Sequence, residues 1–146
     1  MKAALDTNVL VYAEGVNDLP KTESARNLIE KLPPDAVIPV QALGELFQVL
    51  VGKAGRKPAD AIAAITHWSA AFTLAETTAT VLLAATQLAS RKFNFWDAVI
   101  LSAAAESNCR ILLSEDMQQG FEWRGVTIVN PFSRTRHPLL DALLSQ

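Results

Sequence analysis

Four acidic residues spread along the chain are candidates for chemistry at a phosphate group: Asp6, Glu45, Asp97 and Asp116. Asp6 and Asp116 follow short apolar segments, whereas Glu45 and Asp97 lie in the opening turns of segments with helical character. Crowded carboxylates repel one another, and burying them unpaired is costly. No lysine or arginine stands beside any of the four in the sequence. Because carboxylate oxygens suit Mg²⁺ and Mn²⁺, a divalent cation is the counter-charge that this pattern predicts.

Each acid taken alone also has a structural explanation. Asp6 could bond its own turn after a strand, and Glu45 could be a solvated residue on a helix face. Asp97 follows Asn94 by three residues, which fits a helix cap with a favourable charge at the N-terminus. Asp116 fits ordinary turn chemistry. The prediction of a shared site therefore depends on the four acids as a set.

Short apolar segments alternate with amphipathic helical segments. The predicted strands are 2–5, 36–40, 72–75, 109–113 and 126–129, and the predicted helices are 22–32, 41–51, 58–71, 78–90, 95–107 and a short one from 138. This alternation indicates βα units with right-handed crossovers, and hence an α/β fold with a mostly parallel central sheet between helices. Ligands of such sheets bind outside the carboxyl ends of the strands, which is where Asp6 and Asp116 are predicted to lie.

Composition predicts a globular protein. Of the 146 residues, 50% are hydrophobic and 19% are charged, which excludes a disordered chain. No apolar stretch reaches the length of a membrane span, and Asp6 interrupts the first apolar run, so we expect a cytoplasmic protein. The net charge of -2 argues against a protein that binds nucleic acid through charge alone. A bound polyanion would therefore need bound cations or a local basic rim.

Several other residue types are predicted to have packing roles. The single cysteine, Cys109, cannot form an internal disulfide and is expected to be a small buried hydrophobe. Trp68 and Phe72, one helical turn apart, are predicted to lie in the core or at an oligomer contact, with a base-stacking platform as the alternative, and Trp96 is predicted to lie in the core. His67 and His137 have no partner at catalytic or metal-binding spacing. Gly44, beside Glu45, weakens its helix by about 1 kcal/mol relative to alanine and suggests close backbone packing.

Four segments together resemble the acidic motifs of PIN-domain proteins, particularly the VapC-type toxins of bacterial and archaeal toxin–antitoxin pairs. They are Leu5-Asp6-Thr7-Asn8-Val9-Leu10, Glu45 in a helix after a strand, Phe95-Trp96-Asp97-Ala98-Val99-Ile100 and Leu112-Leu113-Ser114-Glu115-Asp116-Met117. The resemblance spans residues 1–131 and leaves 132–146 as a C-terminal tail with a possible short helix. Each motif is modest alone, but all four in order make a specific signal.

The resemblance implies a PIN-like three-layer α/β/α sandwich with the activity of a metal-dependent endoribonuclease, hydrolysing RNA phosphodiester bonds with Mg²⁺ or Mn²⁺. It also implies a homodimer inhibited by a cognate antitoxin protein. Matched by position, Asp6, Glu45, Asp97 and Asp116 are the catalytic and metal-binding residues. Thr7 or Asn8, together with Ser114, match supporting polar positions, and Glu115 is a further candidate.

Basic residues in the middle of the chain are candidates for a rim that follows the RNA backbone. They are Lys53, Arg56, Lys57, Arg91 and Lys92, with a solvated surface as the alternative. Two other functions are open to a chain of this class. A phosphoacceptor module would carry a lysine after a late strand, where Ser114-Glu115-Asp116 has none. A catalytically inactive PIN-like RNA-binding or scaffold protein would typically lack one of the motif acids, and all four are present.

Overall fold

Six short strands form one sheet in the computed structural model, which describes residues 1–146. The strands are β1 (Ala3–Leu5), β2 (Val37–Pro39), β3 (Thr73–Ala75), β4 (Ile111–Leu113), β5 (Glu122–Trp123) and β6 (Val126–Val129). Their order across the sheet is β3-β2-β1-β4-β6-β5. Every neighbouring pair is parallel except β5 and β6. The predicted α/β class with a mostly parallel sheet is confirmed.

Seven helices connect and cover the strands. They are α1 (Thr7–Ala13), α2 (Leu19–Glu30), α3 (Val40–Val51), α4 (Pro58–Ala71), α5 (Ala79–Ala89), α6 (Phe95–Glu106) and α7 (Pro138–Leu144). The chain moves in one direction from β1 to β2 to β3, and α5 and α6 then return it to β4 on the other side of β1. Because such crossovers are right-handed, α1–α4 cover one face and α5 and α6 cover the other. This gives the predicted sandwich.

The central strands are apolar throughout because both of their faces are covered. β1 and β4 are fully buried, and α6 is buried along most of its length, from Ala98 to Ala104, because α5 packs against it. Trp68 is buried, as predicted. Cys109 is also buried, and this burial raises the pKa of its thiol to about 11. None of the helices is long and apolar enough to cross a membrane.

Two elements of the structure have no counterpart in the sequence prediction. Residues 9–12 continue the apolar character of the first predicted strand in the sequence, but they form part of α1, which Asp6 caps directly after β1. Strand β5 is only two residues long and runs antiparallel at the sheet edge. The suggestion of close packing at Gly44 is wrong, because a Cβ placed there would meet nothing within 4 Å.

Candidate active site

The acidic site lies where the strand order of the sheet reverses. From β1 the chain steps first to β2 on one side and later to β4 on the other, so a crevice opens between the carboxyl ends of β1 and β4. Asp6 directly follows β1, and Ser114 directly follows β4. The Asp6 amide donates to the Leu113 carbonyl over 3.0 Å, which extends the pairing of the two strands to their ends.

Asp6 is the buried centre of this site, with only 3% of its surface exposed. One carboxylate oxygen accepts from the Thr7 amide at 2.7 Å, which caps α1. The other accepts from the Ser114 hydroxyl at 2.7 Å and from the Asn8 side-chain amide at 3.1 Å. Three donors therefore hold the carboxylate in one orientation, and none of them carries a positive charge.

Asn8 joins the start of α1 to the loop after β4. Its Nδ2 lies 3.2 Å from Asp116 Oδ2, in addition to the contact with Asp6, and 3.4 Å from Ser114 Oγ. Its Oδ1 accepts from the Glu115 amide at 3.1 Å. An amide nitrogen has two hydrogens, so these acceptors share them. Asn8 therefore links two of the predicted acids, Asp6 and Asp116, through one side chain.

Glu45 and Asp97 reach the same edge from helices. Helix α3 begins directly after β2, and Glu45 in its second turn accepts from the Thr7 hydroxyl at 2.5 Å and from the Gln41 amide at 3.4 Å. Asp97 lies in the first turn of α6, where Asn94 caps the helix by accepting from the Asp97 amide at 3.2 Å. The Asp97 carboxylate itself receives no hydrogen bond from the chain.

The four acids act on one another electrostatically. The pKa of Asp6 is raised to about 7, mainly by burial and to a smaller extent by the charges of Asp97 and Glu45, against the hydrogen bonds from Ser114 and Thr7. The pKa of Asp97 rises to about 6, mainly through burial and then through the charges of Glu45 and Asp116. No lysine, arginine or histidine forms an ion pair with any of the four. The site therefore holds excess negative charge that the chain does not balance.

The donor set of the site fits a hard divalent cation. It offers only oxygen ligands, and one of them, on Asp6, is a buried carboxylate without a cationic partner. No three Asp, Glu, His or Cys side chains form a ready-made ligand cluster. Mg²⁺ usually retains several waters and contacts one or two carboxylates directly. The arrangement therefore fits an ion that one or two acids bind directly and the others bind through water.

A cavity of about 630 Å³ opens beside the acids. Its walls include Thr7, Asn8, Glu45 and Asp116, whereas Asp6 and Asp97 lie outside its lining. The remaining lining residues are Val11, Tyr12, Asn17, Gln48, Val49 and Lys53. Sequence reasoning did not single out Tyr12, Asn17 or Gln48, because these residues come from separate segments and no local pattern joins them.

Comparison with known proteins agrees with this architecture. The family model of the PIN domain matches residues 3–120. The chain belongs to the PIN-domain family. No curated protein sequence matches the chain. The matched range of this PIN domain contains all four acids and both strand ends that form the crevice.

Solved structures similar to this PIN domain include toxins of toxin–antitoxin pairs. Mycobacterium tuberculosis VapC20, described as a sarcin-ricin loop cleaving toxin, aligns with a TM-score of 0.67 and 19% identity over 78% of this chain and 89% of that one. A toxin–antitoxin complex from Klebsiella pneumoniae aligns with a TM-score of 0.65 and 21% identity, over 89% of this chain and 98% of that one. VapBC-1 from nontypeable Haemophilus influenzae aligns with a TM-score of 0.58 and 20% identity, over 80% of this chain and 87% of that one. At these identities the similarity is one of fold.

The five basic residues proposed for a rim have different surroundings in this PIN domain. Lys53 lines the cavity beside Glu45 and Asp116. Arg56 donates to the carboxylate and the carbonyl of Glu14, so its guanidinium is already engaged within the chain. The other three basic side chains are exposed: Lys57 before α4, and Arg91 and Lys92 in the loop before α6.

Two other sequence expectations change with the structure. Glu115 does not face the acids, because its carboxylate accepts from the Tyr12 hydroxyl at 2.5 Å and from Lys21 at 2.7 Å. The prediction that Trp96 lies in the core is wrong, since 51% of its surface is exposed. Its neighbours Phe95 and Asp97 are half-buried, and continuous burial along α6 begins only at Ala98. His137 caps α7 by accepting from the Leu139 amide, which is a structural role.

Proposed function

We propose that this PIN domain is a metal-dependent endoribonuclease that hydrolyses RNA phosphodiester bonds. The observation that carries the proposal is Asp6, a buried carboxylate at the switch point of the sheet that has no cationic partner and lies within electrostatic reach of Glu45 and Asp97. A phosphodiester is an anion, so it can approach this site only if the negative charge is compensated. A bound Mg²⁺ or Mn²⁺ supplies that compensation.

The residues of the chain have distinct roles in this proposal. Asp6, Glu45, Asp97 and Asp116 hold the ion. Ser114 and Asn8 orient the carboxylate of Asp6, and Thr7 orients that of Glu45. When bound, such an ion would supply Lewis-acid chemistry: it would polarise a phosphate oxygen and lower the pKa of water at the site.

The biological setting we propose is that of a cytoplasmic toxin in a type II toxin–antitoxin pair, acting as a homodimer. Support comes from the similar fold of toxins that are solved with their antitoxins, as in the Klebsiella pneumoniae complex. A short reading frame next to the gene is then expected to encode a protein that co-purifies with this chain and inhibits it. Failure of that product to bind or inhibit would contradict the toxin setting and leave the nuclease chemistry intact.

Matched aspartates provide the decisive test of the nuclease. Asp97 and Asp60 both occupy the third position of a helix, but Asp60 is exposed on α4, away from the acids. We expect Asp97→Asn to reduce Mg²⁺-dependent RNA cleavage by about 10²–10³-fold, the usual effect of losing one group that stabilises transition-state charge. Asp60→Asn should keep wild-type activity.

The same assay tests the metal requirement and the main alternative. EDTA should stop cleavage by the wild type, and Mg²⁺ or Mn²⁺ should restore it. Undiminished cleavage in EDTA, or by Asp97→Asn, would contradict the proposal. RNA binding by a pure wild-type protein that never cleaves would instead support a catalytically inactive RNA-binding or scaffold protein.

A further inference from the structure

Three polar side chains in the cavity beside the acids have no role in holding the ion. Asn17, Gln48 and Lys53 line the same space as Glu45 and Asp116. None of the three side chains forms an ion pair or a side-chain hydrogen bond within the chain, in contrast to Arg56 and Lys21. Their polar groups are therefore available to a ligand that enters the cavity.

Helix α3 and the turn after it contribute Glu45, Gln48 and Lys53 to the cavity lining, whereas Asn17 comes from the segment between α1 and α2. Glu45 and Gln48 are three residues apart on one helix, so they lie on the same face about one turn from each other. Lys53 follows the helix end at Gly52 and is the one cation in the cavity lining. The cavity lining therefore combines carboxylates with amides and one ammonium group, a combination that suits an anionic RNA backbone beside a metal site.

Tyr12, which also lines the cavity, is held by three neighbours. The Tyr12 hydroxyl donates to Glu115, and Lys21 Nζ lies 5.1 Å from the centre of the Tyr12 ring. The ring also packs edge-on against Phe132, with centroids 5.2 Å apart. These contacts orient the Tyr12 side chain within the chain itself, and the cavity volume of about 630 Å³ is in the range of small-molecule sites.

We propose that this cavity is a nucleotide subsite for the RNA next to the scissile phosphate, an inference that rests on the proposed nuclease function. Lys53 binds a phosphate group of that nucleotide. The amides of Asn17 and Gln48, each with a donor and an acceptor, bind the edge of its base and make the site selective for sequence at one position. Bases that are not paired expose these edges to a protein.

Binding measurements test the role of Lys53 without requiring cleavage. In an Asp97→Asn background, we expect Lys53→Ala to weaken the binding of a fluorescent single-stranded RNA several-fold. It should also reduce the slope of log affinity against log salt by about 0.7, the value for one lost phosphate contact. Lys31→Ala removes an exposed lysine from a separate depression on α2 and is the matched control. Equal affinity and slope for the Lys53 and Lys31 variants would overturn the subsite.

Cleavage of an RNA pool with randomised sequence tests the two amides. We expect Gln48→Ala and Asn17→Gly to flatten the base preference at one position beside the cut. Glycine is chosen at residue 17 because Asn17 has a φ of 74°, and Asn108→Gly is the control because Asn108 has a φ of 59°. A base preference unchanged in both variants would overturn the subsite.

The two proposals fail in distinguishable ways. If the wild type cleaves no RNA, the nuclease proposal fails, but the Lys53 comparison in the binding assay still decides whether the cavity holds a nucleotide. If the wild type cleaves RNA and the Lys53 and amide variants behave as the controls do, the subsite fails and the nuclease stands. Loss of antitoxin binding alone in these variants would assign the cavity to the antitoxin and overturn the nucleotide subsite.

Discussion

Glu115 and Asp116 are neighbours in the sequence but have opposite surroundings. Glu115 is paired with Lys21 and accepts from Tyr12, and Glu14 is similarly paired with Arg56. Asp116 meets an amide from Asn8 and the charges of other acids. The chain therefore has cations within reach of this region, and they pair with Glu115 and Glu14. The acids that remain without a cation mark the site where an external charge is expected.

The two kinds of acid also differ in their effect on stability. The Lys21–Glu115 pair is partly exposed, with 34% and 21% of the side chains accessible, and such pairs contribute at most about 1 kcal/mol. Asp6 is buried and its pKa is raised to about 7, so its ionised form destabilises the fold at neutral pH. Unfavourable groups of this kind concentrate at functional sites.

The largest expected effect is on the pH dependence of the free energy of unfolding, to which Asp6 contributes more than the paired acids do. Without divalent ions, folded Asp6 keeps its proton up to about pH 7, whereas unfolded Asp6 loses it near 3.8. Between these values the folded state binds more protons, so its contribution to the free energy of unfolding falls as pH rises, by about 4 kcal/mol in total. We expect Asp6→Asn to remove this fall in urea unfolding measured in EDTA from pH 4 to 8, and Asp60→Asn to retain it.

The effect of a metal ion on Tm should distinguish the adjacent residues Glu115 and Asp116. An ion present at about 100 times its Kd stabilises the folded state by about 2.7 kcal/mol. We expect Mn²⁺ to raise the Tm of the wild type and of Glu115→Gln, and to have a much smaller effect on Asp116→Asn. An equal increase in Tm for the two neighbouring variants would contradict the assignment of Asp116 to the metal site.

Removal of Asn8 should affect both the metal site and the loop that carries Glu115, because Asn8 contacts both. Asn8→Ala leaves the Glu115 amide and the carboxylates of Asp6 and Asp116 without their shared partner. Loss of a buried hydrogen-bonding partner destabilises by about 1–3 kcal/mol. We expect a loss of this size in denaturant unfolding together with weaker Mn²⁺ binding by calorimetry. Asn27→Ala on the exposed side of α2 is the control and should change neither quantity.

The smallest effect is expected from the paired acids. Lys21→Met removes the cation from Glu115, and we expect a loss of at most about 1 kcal/mol that decreases with added salt. A double-mutant cycle with Glu115→Gln isolates the pair energy in urea unfolding. A coupling energy of several kcal/mol that does not respond to salt would contradict this prediction, because the pair would then stabilise the folded state more than a partly exposed pair does.

Local signals in the sequence predicted most elements of the fold. Helix α4 has the predicted bounds because Pro58 suits a first helical position and the apolar period continues to Ala71. Asn94 caps α6 as expected. Helix α1 has no such signal, because its three consecutive buried residues from Val9 show no helical period. Strand β5 is defined by its pairing with β6 and is too short to leave a pattern.

The sequence identified the acids as candidates, but it did not predict the residues that surround them. Strand ends and helix starts indicated that Asp6 and Asp116 share an edge, and the structure joins both to Asn8. The partner of Glu115, in contrast, is Lys21, which is distant in the chain. Exposure of Trp96 likewise depends on the direction in which α6 packs. Tertiary contacts of this kind leave no mark on local sequence.

Burial of Cys109 makes the protein convenient for site-specific labelling. Its thiol is sheltered and, with a pKa near 11, is almost entirely protonated at neutral pH, so maleimide reagents should leave it unmodified. Gly44 is exposed, and a Cβ there would meet no atom of another part of the chain within 4 Å, so a cysteine at this position would be accessible one residue from Glu45. A spin label at that position could report the distance to bound Mn²⁺ by paramagnetic resonance.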